Sequence, residues 1–388
     1  MVEWKKLGDI MQIVRGASPR PIQSYITSNE DGVNWIKIGD VSPNDKYITK
    51  TNEKITKDGA KKSRYLHPGD FILSNSMSFG RPYILKTDGC IHDGWIAMSD
   101  YEKSLVSGYL YEVLNSNFVQ DYWKQKANNG GAMSNLNSDI VKATIIPVPS
   151  LSEQERIVSI LDTFTSSIDN LKQQIAQRRK QYEYYRDQLL DLEGKEGVEM
   201  KTLGEIFDTR NGYTPSTSNS AFWDGGVIPW FKMEDIRDNG RILSDSNLHI
   251  TPFAVKGKGL FKANSIILAT SATIGEHALI TVEHLCNQRF TNFYPNKDYA
   301  DKVNMKYFYY YMFVIDEWCK QHLKQGSFAS VDMTGLFNLL IPVPSLSEQQ
   351  RIVDILDKFE ASIQNLEAQL SQREKQYEYY RNKLLTFE

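Results

Sequence analysis

Residues 146–193 read IPVPSLSEQERIVSILDTFTSSIDNLKQQIAQRRKQYEYYRDQLLDLE, and residues 341–388 read IPVPSLSEQQRIVDILDKFEASIQNLEAQLSQREKQYEYYRNKLLTFE. Aligned without a gap at an offset of 195, they agree at 33 of 48 positions. Segments this alike must adopt the same local structure, so the chain is constrained to a tandem organisation. Fainter matches keep nearly the same register upstream. Leu7-Gly8-Asp9-Ile10 answers Leu203-Gly204-Glu205-Ile206, and Gly16 answers Gly212. Trp35-Ile36-Lys37-Ile38 answers Trp230-Phe231-Lys232-Met233, Asp40 answers Asp235, and Gly80 answers Gly275. The 388 residues therefore divide into a globular part (1–145), a tail (146–193), a linker (194–200), a second globular part (201–340) and a second tail (341–388).

The tails predict long helices. Ser152-x-x-Glu155 and Ser347-x-x-Gln350 fit the capping-box pattern, and Pro-Val-Pro-Ser lies just upstream, where proline does not break a helix. Apolar residues then recur at alternating steps of four and three, the seam of a coiled coil. In the first tail the seam is Ile157, Leu161, Phe164, Ile168, Leu171, Ile175, Arg178, Tyr182, Tyr185, Leu189 and Leu192. In the second it is Ile352, Leu356, Phe359, Ile363, Leu366, Leu370, Arg373, Tyr377, Tyr380, Leu384 and Phe387. So long a seam points to helix-on-helix pairing. Arg178 and Arg373 interrupt it at equivalent points, either as snorkelling side chains or as polar contacts that set register.

A helix of about 40 residues spans roughly 60 Å, whereas a globular part of this size is near 40 Å across. The second globular part cannot comfortably carry the chain back to the start of the first helix. The helices are therefore expected to run antiparallel, with the globular parts held apart about a pseudo-two-fold axis.

Short apolar runs such as Phe71-Ile72-Leu73 and Ile266-Ile267-Leu268 suit strands, and Tyr109–Trp123 and Lys306–Lys320 read as helices. Each globular part is expected to be an α+β module with a curved, mostly antiparallel sheet. Composition, 41% hydrophobic and 24% charged, excludes a largely disordered chain. Three scattered cysteines do not make a disulfide framework or a cysteine-based zinc site. With no signal-peptide pattern and no membrane-length apolar stretch, a cytoplasmic protein is expected.

No Walker A, HExxH or GxSxG pattern is present, and no glycine-rich nucleotide-cofactor motif. No catalytic residue, metal site or bound cofactor is expected in this chain. His277 and His284 read as isolated surface histidines, and Asp40 and Asp235 as turn or cap residues. What does recur is a mixture of basic and polar groups suited to gripping phosphates and reading base edges. In the first half these are Lys61, Lys62, Arg64, Ser74, Asn75, Ser76, Arg81, Lys124, Lys126, Asn128 and Asn129. In the second they are Lys256, Lys258, Lys262, Thr270, Ser271, Thr273, Lys320, Lys324, Gln325 and Ser327. The globular parts carry net charges of +2 and 0 while each tail carries −2, so the acidity lies outside these candidates.

Two diverged modules, each followed by a near-identical helix opened by Ile-Pro-Val-Pro-Ser-Leu-Ser-Glu-Gln, resemble the DNA specificity subunit of type I restriction–modification systems. The Leu-Gly-Asp/Glu-Ile start, Arg15-Gly16 and Asn211-Gly212, and Asn287-Gln288-Arg289-Phe290 carry the resemblance further. The first half departs from it at His92-Asp93-Gly94-Trp95. The resemblance implies two target recognition domains that each read one half of a bipartite site in double-stranded DNA. It implies helices that space them and dock two modification (methyltransferase) subunits, with restriction subunits in the larger complex. S-adenosylmethionine would be held by the modification subunit. A non-enzymatic coiled-coil scaffold for protein partners and a self-sufficient enzyme are the competing readings.

Overall fold

The computed structural model describes residues 2–42, 45–75, 79–128, 135–324 and 329–387, with the side chain of Asn128 outside the description. The chain divides into two compact units, Met1–Gln173 with Ala368–Glu388, and Gln174–Glu367. Each unit thus holds one module, part of the first long helix and part of the second.

The first unit contains a five-stranded sheet in the order Gln12–Arg15, Trp95–Ser99, Phe71–Ser74, Pro82–Leu85, Tyr47–Ile48. Its first three pairings are antiparallel and its last is parallel. The second unit repeats that order and those directions with Phe207–Asn211, Phe290–Pro295, Ser265–Ala269, His277–Ile280 and Ile242–Leu243. Each module also carries a second sheet, where the expectation was one. In the first it has five strands around the parallel pair Val33–Ile36 and Gly89–Ile91. In the second it has three, around Ile228–Phe231 and Leu285–Cys286.

Continuous apolar strands explain the extra layer. Phe71 and Leu73 point into a core shared with the helices, while Ile72 points into a separate core under the second sheet. Ile266 and Leu268 against Ile267 make the same division in the second unit. A strand apolar on both faces must be covered on both. The helix expected over Tyr109–Trp123 is two helices, Ser107–Leu114 and Asn117–Asn128. At the break the Ser116 hydroxyl donates to Val113 O (2.6 Å) and Asn115 Nδ2 to Tyr111 O (2.9 Å), side-chain bonds that compete with helix continuation. The second module keeps one helix, Met305–Gln321.

Each module is closed by a strand pair joining its ends, Glu3–Lys6 with Ile145–Val148 and Glu199–Thr202 with Leu340–Val343. The long helices follow, Leu151–Leu190 and Leu346–Thr386. They begin one residue before the serines read as caps. Ser150 Oγ accepts from Glu153 N (3.4 Å) and Ser345 Oγ from Glu348 N (3.3 Å), so the N-caps are Ser150 and Ser345. Ser152 and Ser347 lie inside the helices. Glu153 and Glu348 each form a two-point ion pair with the arginine three residues on, Arg156 and Arg351.

Within each unit the long helices pair antiparallel. In the first, Phe164 stacks on Tyr380 and Lys172 lies 3.8 Å from Glu374, residue numbers rising on one helix as they fall on the other. In the second, Tyr185 stacks on Phe359 and Arg179 pairs with Glu367 at 2.5 Å. Ile157, Leu161, Ile168, Ile175, Leu192, Ile352 and Leu356 are buried. Phe164, Leu171, Tyr182, Leu189, Phe359, Ile363, Leu366, Leu370, Tyr377, Leu384 and Phe387 are half-buried. Tyr185 and Tyr380 are more exposed, yet each covers a phenylalanine of the opposite helix. Arg178 and Arg373 lie over the same two rings, 6.0 Å above Phe359 and 5.8 Å above Phe164. They are ring contacts within the pair, beyond simple snorkelling.

Candidate nucleic-acid interface

The turn after the first strand of the main sheet is the same object in both modules despite different residues. Gly16 N donates to Trp95 O (2.8 Å) and Gly212 N to Phe290 O (2.9 Å). Opposite them, Trp95 N returns to His92 O and Phe290 N to Asn287 O, at 3.2 Å each. A Cβ added at Gly16 would lie 2.1 Å from His92 O, and one at Gly212 would lie 2.1 Å from Asn287 O. No side chain fits either approach, which is why glycine stands at both positions. The departure at His92-Asp93-Gly94-Trp95 therefore changes side chains and leaves the turn intact. The new side chains are used locally: Asp93 accepts from Ser18 Oγ (2.8 Å) and pairs with Arg20 (3.4 Å). Burial holds the His92 imidazole below its ordinary pKa, and Ser18 holds the Asp93 carboxyl low.

Asp40 and Asp235 are cap residues. Asp40 accepts from Lys37 N (2.8 Å) and Asn52 N (3.1 Å), and Asp235 from Lys232 N (2.7 Å) and Asn247 N (2.6 Å). The surface reading of His277 and His284 is wrong, since both are fully buried. His277 Nδ1 lies 2.7 Å from Asp316 Oδ2, with Arg241 3.6 Å from the same oxygen. Burial keeps this imidazole below its ordinary pKa, against the opposing pull of Asp316. His284 packs between Phe231 and Phe261, its pKa lowered by burial to about 4. Neither has a sequence neighbour that would have signalled its partner.

The candidate phosphate-binding residues fall into two groups in each module. In the first unit Lys61 is tied to Asp58 (2.8 Å), Lys62 reaches the Tyr25 hydroxyl (2.5 Å), and Arg64 begins an edge strand. Ser74, Asn75 and Arg81 belong to a second group. Asn75 O accepts from Leu136 N (2.9 Å), and Gly80 O accepts from Gln120 Nε2 (3.0 Å), so this turn sits against the helix that carries Lys124 and Lys126. Ser74 is buried, Asn75 Nδ2 donates to Asp93 O (3.1 Å), Lys124 pairs with Asp121 (3.6 Å), and Lys126 lies over Tyr122. Ser76, Asn129 and the side chain of Asn128 lie outside the described residues.

In the second unit Thr270 and Ser271 are joined to the segment after Met305–Gln321. Val331 N donates to Thr270 O (3.0 Å), and Ser271 bridges Ser330. Thr273 is half-buried there, with its hydroxyl oxygen enclosed and unpaired. Lys320 and Lys324 are paired with Glu317 (2.6 Å) and Asp332 (3.0 Å). Gln325 and Ser327 lie outside the described residues. Lys256 and Lys258 instead line an open cleft of about 710 Å³ with Thr209, Arg210, Asn211, Tyr213 and Thr291. Lys262 lies over Tyr294. Arg210, absent from the candidates, donates to the carbonyls of Lys258 (3.1 Å), Gly259 (2.9 Å) and Leu260 (3.2 Å) and so shapes that cleft. Its place beside Asn211-Gly212 was the available signal.

Both modules meet their helix through one buried glutamine. Gln154 Oε1 accepts from Val106 N (2.8 Å), and its Nε2 donates to Ser104 O (2.9 Å) and Pro149 O (3.0 Å). Gln349 does the same with Asn304 N (2.7 Å), Lys302 O (3.0 Å) and Pro344 O (2.8 Å). The Glu-Gln of the repeated motif is thus a clamp between module and helix. Among the described residues no cluster of His, Cys, Asp and Glu is arranged to hold a metal ion, and no helix is long and apolar enough to cross a membrane.

Two copies of one topology, with shared turns and different surfaces, define a tandem-module protein built on paired helices. The family described as the type I restriction modification DNA specificity domain matches residues 1–178 and 195–374, and the chain belongs to that family. It is 51% identical over 214 residues to the Escherichia coli type I restriction enzyme EcoprrI specificity subunit, covering 52% of this chain and 53% of that one. It is 41% identical over 255 residues to the EcoR124I/EcoR124II specificity subunit of the same species, covering 62% and 61%. The matches thus span between half and two thirds of these relatives. A solved chain from work on complex assembly and conformational transition of the type I R-M system shares the fold at a TM-score of 0.72. It is 18% identical, with 99% of this chain and 97% of that one covered.

Proposed function

We propose that this chain is the non-catalytic, sequence-specific DNA-binding subunit of a type I restriction–modification complex, with each module reading one part of a bipartite site in double-stranded DNA. The observation that carries this reading is the pairing of kept topology with changed surface. The glycine turns and glutamine clamps are the same in both modules, while the side chains around them differ. Two modules built that way bind one class of ligand and distinguish different members of it. The long helices, nearly identical, offer equivalent docking surfaces to two modification subunits. S-adenosylmethionine and the methyl-transfer chemistry belong to those subunits, restriction subunits join the larger assembly, and the complex works in the cytoplasm. Exchanging residues 1–145 for another module and mapping methylated adenines across a genome tests this. One half of the methylated motif should change and the other should stay; an unchanged map would sink it.

A further inference from the structure

The segment Thr251–Lys258 of the second module holds an apolar side chain in solvent beside two lysines that have no carboxylate partner among the described residues. Phe253 is 81% exposed, more than any other large apolar side chain among the described residues. An exposed phenylalanine on a loose loop would be ordinary, but the backbone here is anchored before it, where Thr251 Oγ1 donates to Ala221 O (2.7 Å), and after it. Pro252–Ala254 is a single helical turn whose last carbonyl accepts from the Tyr213 hydroxyl (3.0 Å). That hydroxyl in turn accepts from Lys256 N (3.0 Å). Immediately beyond, Arg210 spends its guanidinium on the three carbonyls of residues 258–260 and lies 4.6 Å over Phe261.

Arg210 being occupied, the cations left to the cleft are Lys256 and Lys258. Neither has an ion-pair partner among the described residues, though Lys256 lies 4.6 Å over the Tyr213 ring, whereas Lys320 and Lys324 are both neutralised. Among the described residues no carboxylate lines the cleft; its uncharged polar side chains are Thr209, Asn211, Tyr213 and Thr291. Positive charge with hydroxyl and amide groups in an open trough fits an extended polyanion. An exposed aromatic on the same segment, three residues before Lys256, fits insertion against bases or sugars.

We propose that Phe253, Lys256 and Lys258 form a contact element for duplex DNA, the lysines on phosphates and Phe253 as an apolar wedge at a base step. This rests on the DNA-binding reading above and adds where the second module makes contact. The first module lacks the wedge. At the equivalent turn, Lys57–Ala60, Asp58 stands where Phe253 does, Lys61 is tied to that aspartate, and Lys62 is held by Tyr25. The two half-sites would therefore be gripped differently.

The test uses the full chain assembled with its modification subunits and a labelled duplex carrying the motif mapped from wild-type adenine methylation. Phe253→Ala should weaken binding about ten-fold with the salt dependence unchanged, and Phe253→Trp should restore it. Lys256→Ala with Lys258→Ala should reduce the slope of log affinity against log salt by about two, near 0.9 per phosphate contact. All of these side chains are at the surface, so thermal unfolding should match wild type. Wild-type affinity and slope in both variants would overturn the proposal. So would a Phe253→Ala chain that keeps its DNA affinity and loses its modification subunits, which would make the patch a protein contact. A wild-type complex that binds no duplex would instead defeat the DNA-binding reading itself, and this proposal with it.

Discussion

Phe164 on the first long helix stacks against Tyr380 on the second, with ring centroids 5.3 Å apart and 29° between planes. Arg373 lies over the same phenylalanine at 5.8 Å. In the other unit Tyr185 and Arg178 treat Phe359 identically. A phenylalanine enclosed by a tyrosine and an arginine from the opposite helix has one good register, because a slip by one turn would remove both partners.

Phe164→Ala and Tyr380→Ala, combined in a double-mutant cycle, should therefore show a coupling of about 0.5–1.5 kcal/mol in urea unfolding. Additive effects would mean the stack contributes nothing beyond burial.

The glutamine clamps should be costly to lose. Gln154→Leu leaves Val106 N and two carbonyls without partners in a buried site, and about 2–4 kcal/mol of stability should go with them. Gln349→Leu should match it. Chemical denaturation of each variant measures the loss, and wild-type stability would show that water replaces the side chain.

A buried carboxyl predicts a pH dependence. Tyr377 donates to Glu112 at 2.6 Å, and burial raises the Glu112 carboxyl above its ordinary pKa against that hydrogen bond. A raised folded-state pKa means that its contribution is fully present below the unfolded value, ~4.5. It is lost as pH climbs through the folded value. Glu112→Gln should flatten stability across that window and be at least as stable as wild type above it. Unfolding at stepped pH checks the sign; a variant that loses stability only at high pH would reverse it.

Gly212→Ala must push Asn287 O away from a Cβ that would sit 2.1 Å from it. The turn cannot yield without breaking the Gly212 N–Phe290 O bond, so a loss above about 2 kcal/mol is expected. Melting of the second module ahead of the first would show it in calorimetry.

The sequence by itself determined the tandem plan, the two long helices, their antiparallel seam and the cap aspartates. These depend on spacing along one chain, and a repeat or a heptad is visible in spacing. Several features were decided only by tertiary structure. Ser150 was chosen over Ser152 as cap because the closing strand sets where the helix begins. The second sheet in each module followed from strands that needed cover on both faces. His277 was buried against Asp316, 39 residues away, and Tyr377 was joined to Glu112, 265 residues away. Lysines of one composition were divided by their surroundings into neutralised ones, such as Lys320, and ones without a carboxylate partner among the described residues, such as Lys258. Long-range pairing leaves no periodic trace in a sequence, because its partners are set by how sheets and helices pack.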